Sequence, residues 1–157
     1  MKRKVAYKLK SVACHNRRRT IDVEYTSGKC VTVHYGQLGI SQKIETAWVD
    51  KETHGRSIGM RFSDGTDTYM PYDQPLALAK DPEYLLQSHI ERLVALVRHA
   101  LAVKHISKRY LATQLGTSDN QIQRLLDPAI LNKNLEQLYH VGSLVGLAFE
   151  WRVVDAA

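Results

Sequence analysis

The chain is poor in the residues that brace small secreted domains: its 157 residues include two cysteines, Cys14 and Cys30. A disulfide framework normally needs more, and a structural zinc site needs four ligands at short spacing. Cys14 and His15 with Cys30 and His34 echo such a site loosely, since a strand would put Cys30 and His34 on one face. Two buried thiols beside incidental histidines is the simpler reading. Long apolar runs are also missing. The densest stretch, Leu93 to Val97, is far short of the ~18 residues of a membrane span. The start, Met1-Lys2-Arg3-Lys4, is basic but no apolar signal core follows it, so a cytoplasmic protein without membrane association is expected. Catalytic signatures are absent too: there is no Gly-rich phosphate loop and no Gly-x-Ser-x-Gly elbow. The seven histidines are scattered, and turns account for Asp64, Asp67 and Asp73. The expectation is a non-enzyme with no metal and no cofactor.

What is present is positive charge, a net of +6. Residues 1–20 hold eight Lys/Arg and no acid, whereas residues 81–157 hold eight of each sign. The positive field is therefore expected from the N-terminal region, and a basic cluster favours polyanionic partners.

The first ~75 residues read as β structure. Ile21, Val23 and Tyr25 alternate with polar residues, Ser27-Gly28 follows, and alternation resumes through Val31, Val33 and Tyr35: a hairpin signature. It recurs as Ile58, Met60 and Phe62, then Asp64-Gly65, then Tyr69 and Tyr72. The two hairpins match at a constant offset of 37 positions. Either an internal duplication or shared turn chemistry explains this, the second needing only that hairpin turns demand glycine. Residues 3–13 and 44–49 add candidate strands.

Pro71, Pro75 and Pro82 mark a change of character over residues 71–82. Asp81-Pro82-Glu83 is a helix start: a capping side chain, a proline at the first helical position and an acid in the first turn. Leu86, Ile90, Leu93, Val97, Ala100 and Leu101 then form an apolar stripe at helical spacing. Two short helices follow. Ser107 caps Lys108–Leu115, Gly116 allows a left-handed turn, and Thr117-Ser118 caps a helix from Asp119 to about Asp127, which Pro128 ends. Helix, Gly-containing turn, helix is the helix-turn-helix pattern. Leu111, Ala112, Leu115, Ile122, Leu125 and Leu126 are its inward residues.

The stretch SKRYLATQLGTSDNQIQRLLD resembles the helix-turn-helix of the Xre/Cro/phage-lambda-repressor superfamily. Ala112, Gly116, Ile122 and Leu125 stand where that family places its small residue, its turn glycine and two core aliphatics. LEQLYHVGSLVGL is similar to the next helix, with Leu135, Leu138, Val141 and Leu144 inward. Lys108 departs from the pattern, since many members carry a glutamine there. The resemblance implies a recognition helix in the major groove of double-stranded DNA, in a twofold homodimer. It implies base readout by Ser118, Asp119, Asn120, Gln121, Gln123 and Arg124, where Asn and Gln suit adenine and Arg suits guanine. Lys104, Ser107, Lys108, Thr117 and Lys133 become candidate phosphate contacts, with Asn132 and Asn134 beside them.

The tail from Leu147 to Val154 alternates and reads as a strand. Arg61-Phe62-Ser63-Asp64-Gly65 and Asp81-Pro82-Glu83-Tyr84 faintly resemble small bacterial β domains of unknown function. The expected architecture is α+β: an antiparallel β domain over 1–75, then a helix-turn-helix domain over 82–157 with a C-terminal strand. The expected function is sequence-specific regulation of transcription, with a small-molecule effector or a toxin on the β domain. The alternatives are an antitoxin that represses its own operon and an interaction module without DNA binding.

Overall fold

The computed structural model describes residues 2–155. The chain has an α+β fold in which a β region precedes the helices. Two antiparallel three-stranded meanders make up the β region. The first is β1 (Leu9–His15), β2 (Thr20–Tyr25) and β3 (Cys30–His34); the second is β4 (Ile44–Val49), β5 (Ser57–Phe62) and β6 (Asp67–Pro71).

The offset of 37 extends beyond the side-chain pattern into the backbone pairing. Tyr25 N–H donates to Lys29 O and Phe62 N–H to Thr66 O; Tyr35 N–H donates to Arg19 O and Tyr72 N–H to Arg56 O. Gly28 and Gly65 hold φ at +87° and +84°, a conformation that costs any other residue about 1 kcal/mol or more. The first strand of each meander also carries a bulge, at Leu9/Ser11 and at Ile44/Thr46. Asn16 ties the meanders together, donating to Ile44 O at 2.8 Å and accepting from Ile44 N–H at 2.9 Å and from the Tyr35 hydroxyl at 2.8 Å.

The inward residues of both meanders share one core, in which Ile21, Tyr25, Val33, Tyr35, Ile44, Ile58 and Leu76 are essentially inaccessible. Burial of each such side chain contributes about 1.5–3 kcal/mol. Tyr25 keeps its polar end satisfied by donating to Tyr72 O at 2.6 Å, and burial pushes its phenol pKa up. Leu76 comes from α1 (Gln74–Leu78), a one-turn helix with Pro75 in its first turn.

The cysteines depart from expectation. Cys14 is half-buried and Cys30, on the outward face of β3, is exposed. Cys30 alternates with the inward Val31 and Val33, so the strand that buries those valines turns its thiol to solvent.

Four further helices follow: α2 (Pro82–Val103), α3 (Lys108–Leu115), α4 (Asp119–Leu125) and α5 (Leu135–Leu144). Asp81 caps α2 by accepting from Tyr84 N–H at 2.9 Å. The buried residues of α2 are Gln87, Ile90, Val94, Val97 and Leu101, so the inward stripe sits one position on from the expected Leu86 and Leu93. In α5 they are Leu138, Val141 and Gly142, with Val145 following. Leu135 and Leu144, expected inward, are exposed. Steps of three along a helix fall short of a full turn, so a stripe extended from 138 and 141 to 135 and 144 rotates off the buried face.

The tail is not a strand. Residues 147–155 have no regular secondary structure. Leu147 and Phe149 instead pack on the helical core, and Trp151 Nε1 donates to the Tyr139 hydroxyl. Gly142 makes room for Phe149: a Cβ there would lie 2.8 Å from its ring.

The chain divides into two compact units, and the division does not follow chain order. One unit is Ala6–Tyr84; the other runs from Leu85 onward and includes the residues before Ala6. The strand expected over residues 3–13 therefore begins only at Leu9, because Lys2–Val5 belong to the helical unit. Lys4 N–H donates to Ala129 O at 2.8 Å, and Leu131 N–H donates to Lys2 O at 2.9 Å. Arg3 and Ile130 form an antiparallel bridge between them. Gln87 owes its burial to the same segment. Its amide oxygen accepts Val5 N–H at 3.0 Å and its amide nitrogen donates to Val5 O at 2.9 Å, which satisfies a polar group that would otherwise be costly to bury.

A candidate nucleic-acid interface

The helix-turn-helix geometry is assembled as its residues dictate. Ser107 Oγ accepts Tyr110 N–H at 3.0 Å and Ser118 Oγ accepts Gln121 N–H at 3.2 Å, so both helices start at side-chain caps. Between them Gly116 takes φ +61°, and the N–H groups of Gly116 and Thr117 turn back onto Thr113 O and Ala112 O. Leu111 and Ile122 are inaccessible, and Ala112, Leu125 and Leu126 are buried with them. Leu115 is only half-buried. The outward residues Ser118, Asp119, Asn120, Gln121, Gln123 and Arg124 are all exposed. The amphipathic division of α4 is clear: its apolar side chains join a core shared with residues of α3 and α5, and its amides, its guanidinium and the Asp119 carboxylate face water.

Beside α4 lies a small cleft of about 110 Å³, lined by Gln121, Arg124, Leu125, Ile130, Asn132, Asn134 and Gln137. Its polar lining is amide and guanidinium, without a carboxylate. Two of its members have structural duties as well. Asn134 caps α5 by accepting Gln137 N–H at 3.1 Å, and Asn132 Oδ1 accepts Lys2 N–H at 2.6 Å.

The candidate phosphate contacts separate into groups. Ser107, Lys108 and Lys104 are exposed and Thr117 is half-exposed. Lys104 extends past the end of α2 with its ammonium against Gly146, 2.8 Å from where a Cβ would stand, at the C-terminal end of α5 where helix carbonyls favour a cation. Lys133 differs most from expectation. Its Nζ donates to Arg124 O at 2.8 Å and to Asp127 O at 2.6 Å, closing the C-terminal end of α4. Burial holds its pKa below the usual lysine range in spite of nearby Asp127. The ammonium is directed at the protein, and the role the structure assigns it is a cap.

The charge also redistributes once the units are recognised. The helical unit, including Lys2, Arg3 and Lys4, carries eleven Lys/Arg against six Asp/Glu, a net of +5, and the β unit carries +1. The positive field expected from the N-terminal region is thus divided, since Lys2, Arg3 and Lys4 belong to the helical unit. The Arg17–Arg19 cluster contributes less than its count suggests. Arg19 donates to Ile40 O at 2.8 Å and lies over the Tyr35 ring, so one of its three guanidinium groups is anchored to the β unit itself. Among the described residues no three His, Cys, Asp or Glu side chains gather as a metal-binding group, and no helix is long and apolar enough to cross a membrane.

Sequence reasoning missed Gln137 as a neighbour of the α4 face, and it missed the Lys2–Val5 segment altogether. The basic triplet Lys2-Arg3-Lys4 was visible, but nothing local to it indicates pairing with residues 129–131. No family model, no curated protein and no solved structure matches the chain.

Proposed function

We propose that the chain is a sequence-specific DNA-binding regulator of transcription, of the Xre/Cro type it resembles, with α4 as the recognition helix of a twofold homodimer. The observation that carries this reading is the exposed face of α4. Asn120, Gln121, Gln123 and Arg124 face outward on a helix whose opposite side, Ile122 and Leu125, is buried. Amides pair with adenine and guanidinium with guanine through two hydrogen bonds each. The net +5 of the unit that holds α4 supports attraction to the phosphate backbone, the sequence-independent part of such binding. In a homodimer the two copies of α4 read half-sites about 34–36 Å apart.

The test is binding of the purified full chain to the DNA just upstream of its own gene, against an unrelated competitor duplex, at ~150 mM salt. A preference of ~10³-fold or more is expected for a sequence reader. Arg124→Ala and Gln123→Ala should each relax base preference by about 1–3 kcal/mol. Weak binding that depends only on salt, unchanged by either substitution, overturns the reading.

A further inference from the structure

The segment Lys2–Val5 is held to the loop after α4 by a regular pattern of hydrogen bonds. Lys4 N–H reaches Ala129 O, Leu131 N–H reaches Lys2 O, and Lys2 N–H reaches Asn132 Oδ1. The Gln87 amide clamps Val5 from the other side. The segment is thus a short extended element fixed in register against residues 129–132.

Register decides where its side chains go. In an extended segment neighbouring side chains alternate between faces, and residues paired across an antiparallel bridge project to the same face. Lys4 takes one face, where its ammonium pairs with Glu91 on α2. Arg3 takes the other, the face of its bridge partner Ile130. Ile130 lines the polar cleft with Gln121 and Arg124 of α4. Arg3 is exposed and, among the described residues, has no carboxylate within ion-pair distance. A cation without an acid, on a backbone bridged to Ile130, which helps line a cleft beside α4 that holds no carboxylate, is suited to an anion brought there by α4.

We infer that Arg3 is a DNA contact, its guanidinium set against a backbone phosphate flanking the bases that α4 reads. The inference rests on the proposed function of α4 and extends its interface to a residue more than a hundred positions away in the chain. Chemistry favours arginine here. Its planar fork offers two parallel hydrogen bonds to a phosphate, and it loses little freedom because the segment is already ordered by its pairing. A phosphate contact carries no base information, so Arg3 sets affinity and register while α4 sets sequence preference.

The experiment compares Arg3→Ala and Arg3→Lys with wild type in the full chain, on the preferred duplex and on a competitor, across a salt series. Arg3→Ala should weaken binding several-fold on both duplexes alike. It should also make the plot of log K against log salt shallower by about 1, because one phosphate fewer is neutralised and one counterion fewer is released. Arg3→Lys should restore most of that slope. Because the Arg3 side chain is exposed and the pairing uses backbone atoms, the thermal transition followed by Trp151 fluorescence should not move. An unchanged salt slope in Arg3→Ala, with Arg124→Ala still relaxing base preference, overturns the inference and leaves the function of α4 standing. A lowered thermal transition with binding reduced in proportion assigns the segment a purely structural role and also overturns it. If wild type shows no preference and Arg124→Ala changes nothing, the reading of α4 fails and this inference fails with it.

Discussion

The two units differ in how far their charge is balanced, +1 for the β unit and +5 for the helical unit. In the β unit four of the eleven Lys/Arg side chains meet acceptors within the unit. Lys10 pairs with Glu24, Arg61 with Asp67, and Lys29 with both Asp81 and Glu83, while Arg19 is anchored to carbonyls. The unit is close to neutral because its eleven Lys/Arg stand against ten Asp/Glu. In the helical unit Lys104, Lys108 and Arg109 are exposed and have no carboxylate partner among the described residues. An exposed pair such as Lys10–Glu24 is worth only about 0–1 kcal/mol to stability, so its main effect is to cancel the local field around the cation. The unpaired cations leave a field of one sign available to an anion. The comparison teaches that location in the fold, more than the number of basic residues in a stretch of chain, decides which surface is positive.

The largest test of the comparison strikes the two cores. Ile58→Ala in the β unit and Leu138→Ala in the helical unit each empty an inaccessible site and should cost about 2–5 kcal/mol. The chain's two tryptophans, Trp48 on β4 and Trp151 in the tail, report each loss by fluorescence in urea. If Ile58→Ala leaves the Trp48 transition in place, the shared core of the two meanders is wrongly drawn.

Glycines make a finer contrast. A Cβ at Gly59 would meet the Trp48 ring at 2.2 Å, displacing a ring that stacks with Arg61 and meets Tyr69 edge-on. Gly59→Ala should cost about 1–3 kcal/mol and change the Trp48 emission. At Gly142 the clash with Phe149 is opposed by the ~1 kcal/mol that alanine gains within a helix, so Gly142→Ala should cost less and loosen the tail. Equal losses at the two positions would show that the tail packs as firmly as the sheet.

Lys133 separates a cap from a DNA contact. Lys133→Met removes the donor to Arg124 O and Asp127 O and should lower stability by about 1 kcal/mol with the salt dependence of DNA binding unaltered. A slope shallower by about 1 would instead make Lys133 a phosphate contact.

The smallest effect is an acid titration. Asp22, held low by the Thr32 hydroxyl, Glu24 by Lys10, Asp64 by Thr66 and Asp67 by Arg61 all have carboxyl pKa values below their ordinary ones. Burial would raise Asp81, but the Lys29 ammonium and the Tyr84 N–H outweigh it and lower it too. All five belong to the β unit. A carboxyl with a folded pKa below its unfolded value contributes stability above the unfolded pKa and loses it as pH falls through the folded one. In a Trp151→Phe background, the Trp48 transition should therefore hold steady above about pH 5 and weaken progressively below about pH 4. A flat response to the lowest pH would mean that these pairs contribute nothing.

Much of the molecule was legible in the residues. The hairpins followed from period-two alternation around Gly28 and Gly65, and the helix-turn-helix from Ser107, Gly116, Ser118 and their flanking aliphatics, because caps and turn glycines act within a few residues. The exposed face of α4 was legible for the same reason. Other features were not. Alternation in the tail mimicked a strand because Leu147 and Phe149 face a helical core. The stripes of α2 and α5 drifted because apolar residues on both flanks, such as Leu86 and Leu144, blur a phase that packing alone decides. The duty of Lys133 was hidden because a lysine in a loop reads alike whether it faces a phosphate or a carbonyl.

The sequence by itself determined the local elements: where the strands turn, where the helices start and stop, and which face of α4 is polar. These are set by propensities and hydrogen bonds that span a few residues. Only the tertiary structure decided that Lys2–Val5 leave the sheet to pair with residues 129–131, that Gln87 is buried, and that the positive charge belongs to the helical unit. Each depends on backbone groups far apart in the chain finding partners in one place, and a linear pattern does not encode that meeting until the core has formed.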